Sequence, residues 1–217
     1  MKRAPDHPDV TVRSLHGVEA DESGAAALAT RFLDALDARL AHSATVSAQM
    51  ERVAGLVEPD WRLPARDAAW LHDVGYHPDL ALTGFHPLDG ARWLRDHDWA
   101  DETCRLVAWH TQSLEEARLF GLAAELAAEF DPPAPLAASA LAWADLTSSP
   151  NGEQWDAERR LAEILERYPP GSSVHEATRA AVPRLRAVIT QIEDLLCNST
   201  EEIAVRLPSA SRTSSTR

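Results

Sequence analysis

Several polar residues of this sequence stand where a helix should present an apolar side chain. In AAWLHDVGYHP (residues 68–78), His72 and Asp73 sit side by side at the end of an apolar helical pattern. His72 shares a face with Ala65, Ala68 and Ala69. His42 extends the stripe formed by Val46, Met50, Val53 and Val57, and His110 lies one turn after Leu106 and Val107. Asp145 shares a stripe with Ala138, Leu141 and Ala142 in an otherwise apolar helix. A carboxylate on such a face needs a cation, a metal or several donors. Taken singly, each of these residues reads as a satisfied core or cap residue. Taken together, a shared metal site would satisfy all of them at once. Imidazole and carboxylate without thiolate suit Fe, Mn, Co, Ni or Zn better than a Cys-based structural zinc. Adjacent helical residues point about 100° apart. At a helix end, with Gly75 just beyond, the His-Asp pair is expected to turn toward one ion.

Those residues need helices to position them, and the sequence supplies helical patterns almost throughout. Alanine and leucine dominate and β-branched residues are sparse. From residue 23, Ala26, Leu28, Phe32, Leu33, Leu36 and Leu40 fall near one side. Further helices are expected over 41–57, 64–72, the HPLDGARWLRDH stretch, 102–110, 112–129, 135–147, 153–167 and 173–196, with Pro87 suiting a first turn. The fold class expected is all-α: one compact domain of about eight helices over 23–197. A flexible arm (1–22) is expected before it, and a disordered tail (198–217), rich in Ser, Thr and Arg, after it.

Bulk properties narrow the partners. The net charge is −13, and Lys2 is the only lysine. That balance argues against a nucleic-acid duplex or an anionic membrane as partner. Two cysteines without a CxxC, no apolar leader and no membrane-spanning run give the expectation of a cytoplasmic protein.

In order and setting, His42, His72-Asp73 and Asp145 resemble the HD-domain superfamily of metal-dependent phosphohydrolases, over roughly residues 25–165. TGFHPLDGARWL, with His86, and LVAWHTQ, with His110, resemble the subgroup that carries two metals. The resemblance implies a first divalent ion held by His42, His72, Asp73 and Asp145. It implies that Asp73 bridges to a second ion, held also by His86 and His110. The activity implied is hydrolysis of a phosphoester in a small phosphorylated metabolite, nucleotides included, by a metal-activated water. On the same ligand set some relatives are mixed-valent di-iron oxygenases, which is the alternative. A non-catalytic sensor or interaction domain is the third.

One departure bears on catalysis. Many members carry a lysine a few residues after the HD pair, where this chain has Tyr76 and His77. Asp73 and His77 are therefore the expected catalytic residues, with His77 either contacting phosphate or giving a proton to the leaving group. A turn histidine beside Pro78 is the other reading of His77. Tyr76, His77, Arg92 and Arg159 are the expected substrate contacts, with Arg95 and Arg160 as further arginine candidates. Glu115 and Glu116 read as the solvated start of a helix, or as acceptors for a ligand histidine.

Overall fold

The computed structural model describes residues 22–36 and 38–206. They form ten α-helices: α1 (Glu22–Leu33), α2 (Arg39–Val53), α3 (Arg62–Leu71), α4 (His86–Asp96), α5 (Asp101–Ala108), α6 (Ser113–Phe120), α7 (Ala123–Glu129), α8 (Pro135–Leu146), α9 (Ala157–Arg167) and α10 (Ser173–Arg206). Short 3-10 turns occupy Ala54–Leu56, Pro59–Trp61 and Val74–Tyr76. There is no strand among the described residues, only an isolated bridge between Ser148 and Gln154. The all-α expectation holds. Among the described residues no helix is long and apolar enough to cross a membrane.

Several helix boundaries differ from the periodicity, three of them with consequences for the site or the chain's course. The 112–129 pattern is two helices, because Gly121 takes φ 74° and caps α6 in the left-handed region. The amide of Leu122 then donates to the carbonyl of Ala117 at 2.8 Å, closing a Schellman-type end that a continuous helix cannot share. At the other end of the chain, α10 continues to Arg206 rather than stopping near 196. The remainder of the expected tail, and residues 1–21 of the expected arm, lie outside the described residues. Finally, α2 begins at Arg39 rather than 41. That puts Arg39 one turn before His42 on the same helix.

Helix α3 is the central element, packed against α1, α2, α5 and α8. Its Ala65, Ala68 and Ala69 are fully buried, and such small side chains let four neighbours approach closely. Leu71 and Val74 continue the buried surface into the turn after the helix. Helix α10 closes the other side against α6, α8 and α9.

The junction between the His-Asp turn and α4 depends on two glycines. A Cβ on Gly75 would stand 2.0 Å from the carbonyl oxygen of His86 and 2.7 Å from the amide nitrogen of Gly90. A Cβ on Gly90 would in turn lie 3.1 Å from the nitrogen of Gly75. Gly75 is not among the glycines with positive φ, so its role differs from the one expected. It permits backbone contact rather than a left-handed turn. His72 and Asp73 themselves have ordinary φ values of −56° and −99°. The loop into α4 is held separately: Asp89, buried in the first turn, accepts from the amides of Leu82, Thr83 and Gly84 at 3.0–3.1 Å and from the Thr83 hydroxyl at 2.8 Å. This wrapping delivers His86 at the helix start. Gly75→Ala is expected to destabilise the fold by about 1–3 kcal/mol, as overpacking does. A melting-temperature shift measures it, and Gly55→Ala, where a Cβ meets nothing, is the control.

Candidate metal centre

The six residues that carried the resemblance meet in space as two groups. His42, His72 and Asp145 form one, and Asp73, His86 and His110 the other; within each, the potential ligand atoms lie within 4.8 Å of one another. The groups are supplied by α2, the end of α3, the start of α4, the end of α5 and α8. Asp73 stands between them, its Oδ1 3.6 Å from Nε2 of both His72 and His86. That is the position a bridging carboxylate requires.

The histidine rings are oriented by the backbone. Nδ1 of His42 faces the carbonyl of Ser149 at 3.0 Å, that of His72 the carbonyl of Ala69 at 3.2 Å, and that of His110 the carbonyl of Val107 at 2.7 Å. A carbonyl can only accept, so each Nδ1 carries a hydrogen and Nε2 is the ring nitrogen that faces inward, with its lone pair free for an ion whenever the ring is neutral. Such outer partners are what fix a ligand histidine. The inward atoms lack donors of their own. His72 Nε2 is buried without a hydrogen-bond partner, and His86 Nε2 lies 3.2 Å from His110 Nε2. His42 Nε2 lies 3.1 Å from Asp145 Oδ1.

Ligands about 2.0–2.1 Å from a tetrahedral or octahedral metal stand roughly 2.8–3.4 Å from each other. The His42–Asp145 and His86–His110 pairs, at 3.1 and 3.2 Å, fall in that range, and the two Asp73 pairs, at 3.6 Å, lie just beyond it. The charges agree. Burial holds the imidazoles of His72 and His86 below their usual pKa, so both stay neutral as ligands must. Burial would raise Asp73 and Asp145, but positive charge around them outweighs it, from Arg39 beside Asp73 and through the His42 hydrogen bond to Asp145. Both carboxylates are therefore held well below the usual range. Burial opposes a proton on His42, yet its bond to Asp145 wins and raises its pKa. A cation at that position would compete with this proton.

Both groups open on one cleft of about 330 Å³, with His72 beneath its floor. Arg39 donates to Asp73 Oδ2 at 3.0 Å, and its guanidinium lies over the ring of Tyr76. Tyr76 in turn stacks on His86 with centroids 3.8 Å apart. Across the cleft stand Arg160, Arg167 and Tyr168. Arg160 has a buried Nε without a hydrogen-bond partner, and its charge acts on His42 and Asp145. Glu116, only 6% exposed, also lines the cleft and accepts from Gln112 Nε2 at 3.1 Å. Burial raises its pKa. Thr111 completes the floor with φ 47°, a conformation that costs a β-branched residue on the order of 1–3 kcal/mol.

Three expected site residues lie elsewhere. His77 does not line the cleft; its ring edge meets Phe32 at 5.1 Å and its Nδ1 accepts from the amide of Asp79 at 3.2 Å. It is the turn residue of the two readings. Arg92 is tied to Glu125 and Glu129 of α7, because six residues past His86 the helix has rotated its side chain away from the cleft. Arg159 stacks over Trp155 at 3.8 Å on the outside of α9. The buried stripe of that helix, Ala157, Leu161 and Ile164, turns Arg160 inward instead. Arg39 was missed because the second helix was expected to start at 41, although an arginine three residues before His42 shares its face. Glu116 is buried where a solvated helix start was expected.

Isothermal titration of chelator-treated protein with Mn²⁺ or Co²⁺ is expected to find two ions per chain. At roughly 100-fold excess over Kd each ion raises folding stability by about 2.7 kcal/mol, read as a higher Tm. Absence of saturable binding overturns the assignment. Comparison of the chain with protein-family models, curated proteins and solved structures returns no match, so the interpretation of the cleft stands on its own geometry and chemistry.

Proposed function

We propose that this protein is a metal-dependent phosphohydrolase of the HD-domain type, acting on a phosphoester of a small phosphorylated metabolite. The observation that carries this reading is the sharing of one cleft by two three-residue His/Asp groups and by two arginines, Arg39 beside Asp73 and Arg160 near Asp145. When bound, the two ions supply a water nucleophile at neutral pH and positive charge for the phosphoryl oxygens. Arg39 and Arg160 orient the phosphate from two sides, where bidentate guanidinium contacts suit its oxygens. They also offset the acidity of a chain with net charge −13. Tyr76, fixed between His86 and Arg39, walls the phosphate end of the cleft. Hydrolysis forms one P–O bond to water and breaks the P–O bond to the leaving group, whose oxygen needs a proton. Glu116 takes the role first expected of His77: a cleft carboxyl whose raised pKa keeps that proton available.

The test is a phosphate-release screen over nucleotides and sugar phosphates with Mn, Co, Ni, Fe and Mg, using Asp73→Ala as control. Metal-dependent release that Asp73→Ala abolishes is expected, and release that survives the substitution overturns the reading. A mixed-valent di-iron resonance signal in aerobically purified protein that releases no phosphate replaces it with the oxygenase.

The role of Glu116 has a pH signature. The active form is protonated, so kcat is expected to fall as pH rises through its raised pKa. Glu116→Gln is expected to lower kcat by about 10²–10⁴ for alkyl phosphates and to flatten that alkaline limb. A nitrophenyl ester, which leaves without a proton, loses much less. Equal loss for both leaving groups removes Glu116 from proton transfer.

A further inference from the structure

The turn between α5 and α6 contains a feature that metal ligation alone does not explain. Thr111 follows the ligand candidate His110 and adopts φ 47°, in the region that favours glycine and asparagine. A plain turn at this position would be met at no steric cost by glycine. Thr111 instead brings two interactions that hold the strain in place. Its hydroxyl donates to Asp145 Oδ2. Its carbonyl accepts from Arg184 Nη2 at 2.7 Å, and Arg184 reaches it from α10 while also pairing with Glu115.

The hydroxyl divides the labour of the Asp145 carboxylate. With Oδ2 taken by Thr111, Oδ1 is left facing His42 at 3.1 Å, inside the His42–His72–Asp145 group. One residue earlier, His110 belongs to the other group. A single strained residue therefore touches one group through its side chain and the other through the chain itself. Arg184 braces it from outside the cleft.

We infer that Thr111 is a positioning residue: its hydroxyl selects which oxygen of Asp145 faces the cation, and its left-handed backbone sets the spacing between the two His/Asp groups. The strain is retained because the conformation that relieves it would let Asp145 rotate. This rests on the proposal that the two groups bind ions. Asparagine could adopt the same backbone, but its longer side chain places its donor elsewhere.

The test is calorimetric titration of chelator-treated protein with Mn²⁺, together with the melting temperature of the metal-free form, for Thr111→Ser, Thr111→Val and Thr111→Gly. Serine keeps the hydroxyl and is expected to bind within about threefold of the parent. Valine keeps the shape and the strain but removes the donor, and is expected to weaken binding about 10–100-fold, the range typical of a lost ligand-orienting partner. Glycine relieves the strain without supplying a donor, so its metal-free form is expected to melt no lower than that of valine while binding equally poorly. Valine or glycine binding like the parent overturns the inference, as does serine binding as weakly as valine. Should valine fail to fold, the serine–glycine pair decides by the same criterion. A parent protein that binds no Mn²⁺ defeats the metal centre itself, an outcome distinct from a parent that binds and a valine variant that binds equally well.

Discussion

Neutral imidazole nitrogens and carboxylate oxygens repel when they are buried face to face. That constraint governs this molecule. Backbone carbonyls of Ser149, Ala69 and Val107 fix three rings so that their bare nitrogens point inward. Two carboxylates join them, and the guanidinium of Arg39, paired with Asp73, together with the charge of Arg160 near Asp145 neutralises only part of the charge. Folding such a cluster without more positive charge leaves His72 Nε2 orphaned and sets His86 against His110. Protons relieve the repulsion partly, as the raised pKa of His42 indicates, and cations held by the two groups would relieve it further.

The helices can carry this cluster because most of its members sit at helix ends or beside them. His72 and Asp73 follow α3, His86 opens α4, and His110 follows α5. End positions let side chains leave the helix axis and converge, which mid-helix residues on different rods do less easily. Tight packing then fixes the convergence. The alanines of α3 bring four helices together, and the Gly75–Gly90 contact locks the His-Asp turn to the helix bearing His86. Arg184 and Thr111 extend the support to α10, so the C-terminal half braces a site built largely from the N-terminal half.

Much of this was legible before any coordinates. The 3.6-residue pattern located the helices, since a buried face writes itself into sequence directly. His42, His72, His110 and Asp145 stood out because polar residues on apolar faces demand an explanation. Less legible were features that depend on rotation about a helix axis or on the end of a helix. Arg159 and Arg160 are adjacent in sequence, yet only one faces the cleft, and the stripe of α9 decides which. Arg39 joined the site because α2 starts one turn earlier than its apolar stripe suggests. His77 sits four residues from Asp73 but beyond a 3-10 turn, which carries it to Phe32.

The sequence by itself determined the all-α class and singled out His42, His72, Asp73, His110 and Asp145, with His86 added by the family resemblance. Composition and periodicity are local properties, and an out-of-place polar residue is visible wherever it stands. The tertiary structure brings those six together in space as two groups that meet at Asp73. It alone decided that Arg39, Arg160 and Glu116 share the cleft while Arg92, Arg159 and His77 do not. Distances between residues remote in the chain, and the burial that shifts the pKa of Glu116, arise from packing between helices. No single helix encodes them.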